Sequence, residues 1–260
     1  MSNKGRLYGV SLGPGDPGLI TRRAWECLQQ DAVWTYPKRN KKSDSYALDI
    51  VVRAGLELPS EHQELIFPMT HDEKKLARHW LAAAESVLSY LQQGQDVMFL
   101  VEGDASTYST FGHLARTVQA MDDKVELEII AGVSSFHAAA AKTQIPLSDV
   151  DDTIAIIPAG YGIGMIEKLL NDFDTLVLLK VKPLMDDIID LLGRKGLLES
   201  SCFIEKAGSP EERVVEDIKS LRGEKVNYLS LLLIKNPQRQ RSEVIRGCRK
   251  KSTVPEEQST

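Results

Sequence analysis

Cysteine is scarce. Cys27, Cys202 and Cys248 are the only three in 260 residues, far apart, with no C-x-x-C pair and no histidine at ligand spacing. That excludes a disulfide scaffold and a cysteine-held metal centre. The histidines His62, His71, His79, His113 and His137 are scattered too, so no protein-held metal is expected. No apolar run approaches the roughly 20 residues of a bilayer span, and the N-terminus lacks the apolar core of a secretory leader. A soluble, cytoplasmic protein with no membrane partner is the expectation. Positive charge is in deficit: 32 Lys and Arg face 37 Asp and Glu, a net charge of −5. This composition argues against nucleic acid as a partner.

What is present is enough apolar material, 42% of residues, to bury a sizeable core. Short apolar runs alternate with longer segments of helical period, the rhythm of an α/β protein. Strands are expected at "LYGVSL", "AVWTY", "DVMFLV", "VELEII", "TIAIIP", "TLVLLK", "SCFIE" and "YLSLLLI". Helices are expected at Leu19 to Gln29, Asp72 to Gln92, Gly112 to Ala120, Ser134 to Lys142, Met165 to Asn171 and Leu184 to Gly193. The polar stretch "QAMDDKVELE" sets a division near residue 123, giving two α/β lobes, 1–123 and 124–246, with a ligand cleft between them. The polar segment 247–260 is expected to be a flexible tail.

The stretch "GPGDPG", Gly13 to Gly18, matches G-x-G-x-x-G and follows a strand-like run. A dinucleotide reading meets three objections. Asp16 would repel a pyrophosphate, Pro14 and Pro17 offer no N–H, and no acid for a ribose follows the second strand. The cations of "YPKRNKK" keep an NADP reading open, whereas Asp16 as N-cap with Pro17 at the first helical position accounts for the motif as a helix start. A P-loop is excluded, because no Gly-Lys-Ser/Thr follows. Two further small-residue loops, "EGDAST" and "AGVSSFHAAAA", also follow strands. Three such loops at strand carboxyl ends would converge on one crevice and admit a compact polar ligand, cationic if the acids face it.

Taken in order, "SLGPGDPGLIT", "EGDAST", "AGVSSFHAAAAKTQIPL", "TLVLLK" and "EKAGSPEERVVE" resemble the tetrapyrrole (corrin and porphyrin) methyltransferases over nearly the whole chain. "YPK" after the second strand, and Ala105 where most of the family has Pro, resemble the members that methylate C20 of precorrin-2 or its cobalt-containing counterpart in cobalamin synthesis. The resemblance implies S-adenosylmethionine as methyl donor, a small-molecule tetrapyrrole as acceptor, a cleft between two α/β lobes and a homodimer. Other acceptors on the same fold, another corrin ring or a diphthine-type protein side chain, stay open, as does a ligand-binding module without turnover.

Position by position, the resemblance places Pro14, Gly103, Asp104, Thr107, Ser134, Ser135, Lys180, Ala207 and Leu229 against the cofactor. Candidates for taking the proton that C20 sheds are Asp104, Lys180 and Glu205, with Glu102 and Tyr108 behind them. Plainer accounts are a helix cap for Asp104, a surface lysine for Lys180 and a solvated partner of Lys206 for Glu205. The acetate and propionate groups of the acceptor call for cations, and Lys38 and Arg39 lead, with Arg22 and Arg23 second. Gly15, Asp16 and Tyr108 complete the expected substrate side.

Overall fold

The computed structural model describes residues 4–70 and 72–240. His71, Cys248 and the expected tail at 247–260 lie outside the described residues. The first lobe is a parallel sheet of β1 (Leu7–Ser11), β2 (Val33–Lys38), β3 (His62–Ile66), β4 (Val97–Val101) and β5 (Leu127–Ile130), in the order β3-β2-β4-β1-β5. Every residue of β1 and β4 is buried, as expected of central parallel strands covered on both faces. On one face Leu7, Phe99 and Val101 pack with α3 (Glu73–Gln92) and α4 (Phe111–Met121). On the other, Val10, Met98 and Leu100 pack with α1 (Arg22–Leu28) and α2 (Tyr46–Arg53).

The second lobe is a mixed sheet of β6 (Ile154–Pro158), β7 (Thr175–Leu179), β8 (Ser201–Glu205), β9 (Arg213–Val215) and β10 (Ser230–Lys235), in the order β6-β7-β10-β8-β9. Only β6 and β7 run parallel. Its helices are α5 (Ser135–Thr143), α6 (Ile163–Asp172) and α7 (Met185–Lys195). From α5, Phe136 and Ala139 pack on Val177, Cys202 and Leu231.

The division expected at residue 123 moves downstream. β5 pairs with β1, so 124–130 belong to the first lobe, and the chain crosses to the second lobe only after Ile130. The polar stretch behind that division is the end of α4, a turn and the start of β5 within one lobe, fastened by an ion pair from Lys4 to Asp122. The helix expected at Leu19 to Gln29 is two pieces. Asp16 caps a 3-10 turn over Pro17–Leu19, its carboxylate accepting from the Gly18 N–H at 2.8 Å, and Thr21 then caps α1. The helix expected to end at Gly193 runs to Lys195, because Gly196 takes the left-handed closing position with φ 66°. No helix among the described residues is long and apolar enough to cross a membrane.

Candidate active site

The strand order explains why the three small-residue loops meet. They follow β1, β4 and β5, which are neighbours in the sheet, so their carboxyl ends lie side by side. The loops are then tied together. Gly13 and Gly103 exchange backbone hydrogen bonds of 3.2 and 2.7 Å. Ser11 Oγ accepts from the Ala105 N–H at 2.8 Å. Asp104, 8% exposed, accepts from the Ser106 and Gly132 N–H groups at 2.9 and 2.8 Å, and from the hydroxyls of Ser106 and Thr107. Gly132 has no room for a side chain, since a Cβ would stand 2.3 Å from the Ser11 Cβ and 2.9 Å from the Gly103 carbonyl oxygen.

This knot disposes of the dinucleotide reading. The Gly13 N–H is given to Gly103, the Gly18 N–H to the Asp16 carboxylate and the Leu19 N–H to the Asp16 carbonyl. Those amides therefore do not cradle a pyrophosphate.

A cavity of about 310 Å³ opens between the lobes, within the range of small-molecule sites. Pro14, Gly103, Asp104, Thr107, Ser134, Ser135, Lys180, Ala207 and Leu229 all line it, so every residue expected against a cofactor is brought to one place. Nothing lies within 4 Å of the position a Gly103 Cβ would take, which leaves open space beside its backbone. Ser134 stands at the N-cap of α5 without a side-chain capping bond. Open backbone, small side chains and uncommitted polar groups fit a compact polar molecule such as S-adenosylmethionine.

Three non-glycine residues of the lining have left-handed backbone: Tyr108 (φ 51°), Lys180 (φ 58°) and Lys206 (φ 50°). Such strain gathers at functional sites. The Lys180 ammonium lies 5.7 Å from the centre of the Tyr228 ring, so this lysine belongs to the cleft and not to the outer surface. The Tyr108 hydroxyl reaches across the cleft and donates to the Ile156 carbonyl at 2.8 Å.

The acids sort differently from the sequence expectation. Burial pushes the Asp104 carboxyl up, but the bonds from Ser106, Gly132 and Thr107 outweigh it and hold the group below its ordinary value of 3.8. With both oxygens engaged, Asp104 is a clamp and a poor proton acceptor. Glu205 stands apart from the site: it does not line the cavity, and its carboxylate accepts from the Asn227 N–H at 2.8 Å. Glu102 does line the cavity, and burial pushes its carboxyl up to about 7, opposed only by the charge of Arg39.

On the expected substrate side, only Tyr108 lines the cavity. Gly15 follows Pro14 of the lining, its carbonyl held by Arg53 at 2.7 Å, and a Cβ there would meet the Ser209 nitrogen at 2.9 Å. Asp16 spends its carboxylate on the turn it caps. The Lys38 ammonium is paired with Glu64 at 2.7 Å, which removes it as a free anchor for carboxylates. Arg22 and Arg23 are likewise paired, with Glu26 and Glu128. Arg39 is exposed and joins no ion pair among the described residues. Its loop is shaped by the Ser43 hydroxyl, which accepts from the Arg39 and Asn40 N–H groups at 3.1 and 3.2 Å.

Residues 6–221 match the family model of the Tetrapyrrole (Corrin/Porphyrin) Methylases. The chain belongs to the tetrapyrrole methylases. Among relatives of this tetrapyrrole methylase, a probable cobalt-precorrin-2 C(20)-methyltransferase of Methanocaldococcus jannaschii is 32% identical over 239 residues, covering 88% of this chain and 96% of the relative. The cobalt-precorrin-2 C(20)-methyltransferase of Salmonella typhimurium is 32% identical over 231 residues, with the same coverage of both chains. A crystal structure of cobalt precorrin-4 methyltransferase has the same fold, with a TM-score of 0.66 at 21% identity over 88% of this chain and 94% of that one. So has a Thermus thermophilus uroporphyrin-III C-methyltransferase solved with S-adenosylhomocysteine, with a TM-score of 0.60 at 23% identity over 89% and 97%.

Proposed function

We propose that this tetrapyrrole methylase transfers a methyl group from S-adenosylmethionine to C20 of precorrin-2 or of its cobalt-containing counterpart. The observation that carries the reading is the 32% identity to two C20-methyltransferases over almost their whole length. The cavity supports it, because the residues matched to the family's cofactor positions surround one space. The sulfonium supplies an already activated methyl group, so the protein has chiefly to align donor and acceptor and keep water out.

In this reading Pro14, Gly103 and Ala207 hold the donor through backbone, and Thr107, Ser134 and Ser135 add hydroxyls. The knot around Asp104 fixes those loops before either substrate arrives. Arg39 meets the peripheral carboxylates of the acceptor at the cleft mouth. A homodimer, implied by the resemblance, is part of the proposal and is measured by sedimentation.

The test is methyl transfer from labelled S-adenosylmethionine to precorrin-2 and cobalt-factor II in parallel, with NMR to locate the methyl group. Label at C20 is expected with at least one of them. Binding of S-adenosylhomocysteine with no label in either ring would move the acceptor elsewhere. Arg39→Ala is expected to raise KM for the tetrapyrrole several-fold, less so at high salt, and to leave donor affinity alone. Lys38→Ala, which unpairs Glu64, is expected to change KM less. Equal rises in KM for both variants would contradict the separation of a free cation from a paired one.

A further inference from the structure

Methylation at C20 leaves a proton to be removed. As the new bond to carbon forms, the electrons of the breaking S–CH3 bond stay on sulfur as a neutral thioether, and C20 briefly carries both H and CH3. The C20–H electrons must then return to the ring while the proton goes to a base.

We infer that Glu102 is that base, an assignment that rests on the function proposed above. The argument is one of position and availability. Glu102 directly follows the core strand β4 and lines the cavity beside Gly103, where the backbone faces open space. Among the described residues its carboxylate accepts no hydrogen bond and joins no ion pair.

The other titratable groups of the lining are committed or unsuited. Asp104 is saturated by its donors. Lys180 and Lys206 are ammonium groups without a lone pair, and Lys206 is paired with Glu211. The Tyr108 hydroxyl donates to the Ile156 carbonyl, and the Tyr228 ring is covered by the Lys180 ammonium. Outside the lining, Arg39 favours the charged form of Glu102, and the charge of Glu102 in turn pushes the Tyr46 hydroxyl on α2 up. Burial in the cleft wall lifts its carboxyl to about 7, so a basic fraction and a proton-holding fraction coexist at neutral pH.

The experiment uses the full chain, the Glu102→Gln and Glu102→Asp variants, and acceptor deuterated at C20. Calorimetry with S-adenosylhomocysteine shows that the variants fold and bind donor. Glu102→Gln is expected to form product about 100-fold more slowly, a loss typical of a general base, with a primary deuterium isotope effect larger than that of the wild type. Glu102→Asp is expected to recover part of the rate. Carboxyl-carbon NMR of the free protein is expected to show one glutamate titrating near 7 that is missing from Glu102→Gln. A Glu102→Gln variant that labels C20 at the wild-type rate with an unchanged isotope effect overturns the assignment. Wild-type protein that never labels C20 overturns the function reading, and this inference with it.

Discussion

Gly132→Ala is expected to open the knot between the three loops and to take donor binding with it. The added methyl carbon would fall 2.3 Å from the Ser11 Cβ and 2.9 Å from the Gly103 carbonyl. Neither neighbour is the free end of a flexible side chain. Ser11 lies on a central strand and holds the Ala105 N–H, while Gly103 is locked to Gly13. Relief therefore requires moving backbone that positions the cavity wall. Overpacking of this kind costs about 3 kcal/mol. Urea denaturation should show that loss, and calorimetry should show S-adenosylhomocysteine binding weakened at least tenfold. A Gly132→Ala protein with unchanged midpoint and affinity would mean that the loops are not coupled through this contact.

Asp104→Asn is the second large effect, and its pH dependence separates it from the first. The amide keeps the shape but turns one acceptor oxygen into a donor, which then faces donors from Ser106, Thr107 or Gly132. Hydrogen bonds to a charged group contribute about 2 kcal/mol each, and leaving one buried donor unpaired costs a similar amount. The folded carboxyl is held below 3.8, so the unfolded chain binds its proton more readily. The stabilisation is therefore fully present above the unfolded pKa of about 4 and is lost as pH falls through the lower folded value. The stability gap between wild type and Asp104→Asn should be widest near neutral pH and should narrow below about pH 4. A gap that is constant with pH would show that the charge of Asp104 contributes nothing.

How far the sequence reaches is clearest at these loops. Small residues after apolar strands marked each loop, and "LYGVSL" and "DVMFLV" are apolar enough to read as buried parallel strands. That β1 lies between β4 and β5 is a long-range pairing no local pattern carries. The same limit governed the charges. Lys38 looks free in "YPKRNKK" because its partner Glu64 sits on β3, a mostly polar edge strand with only Leu65 buried, which offers no apolar run to detect. Asp104 and Glu205 read as candidate bases because their partners, Gly132 and Asn227, donate through backbone N–H groups that every residue type possesses. The short helix α2 is masked in the sequence by the basic loop before it, although Ser45 caps it and Ala47, Ile50 and Val51 form its inner face. Glu102 stood beside a more prominent motif aspartate. Only its half-buried place in the cleft wall and the absence of hydrogen-bonding partners, both properties of the folded chain, distinguish it.

The left-handed backbone at Tyr108, Lys180 and Lys206 has a practical consequence for anyone engineering this enzyme. At such positions a non-glycine residue costs about 1 kcal/mol or more relative to glycine, so each is a place where a more heat-resistant protein lies one substitution away. All three side chains that such substitutions would remove line the cleft. A selection for heat tolerance alone would therefore erode the enzyme from its working surface inward, and screens for robust variants should hold these codons fixed.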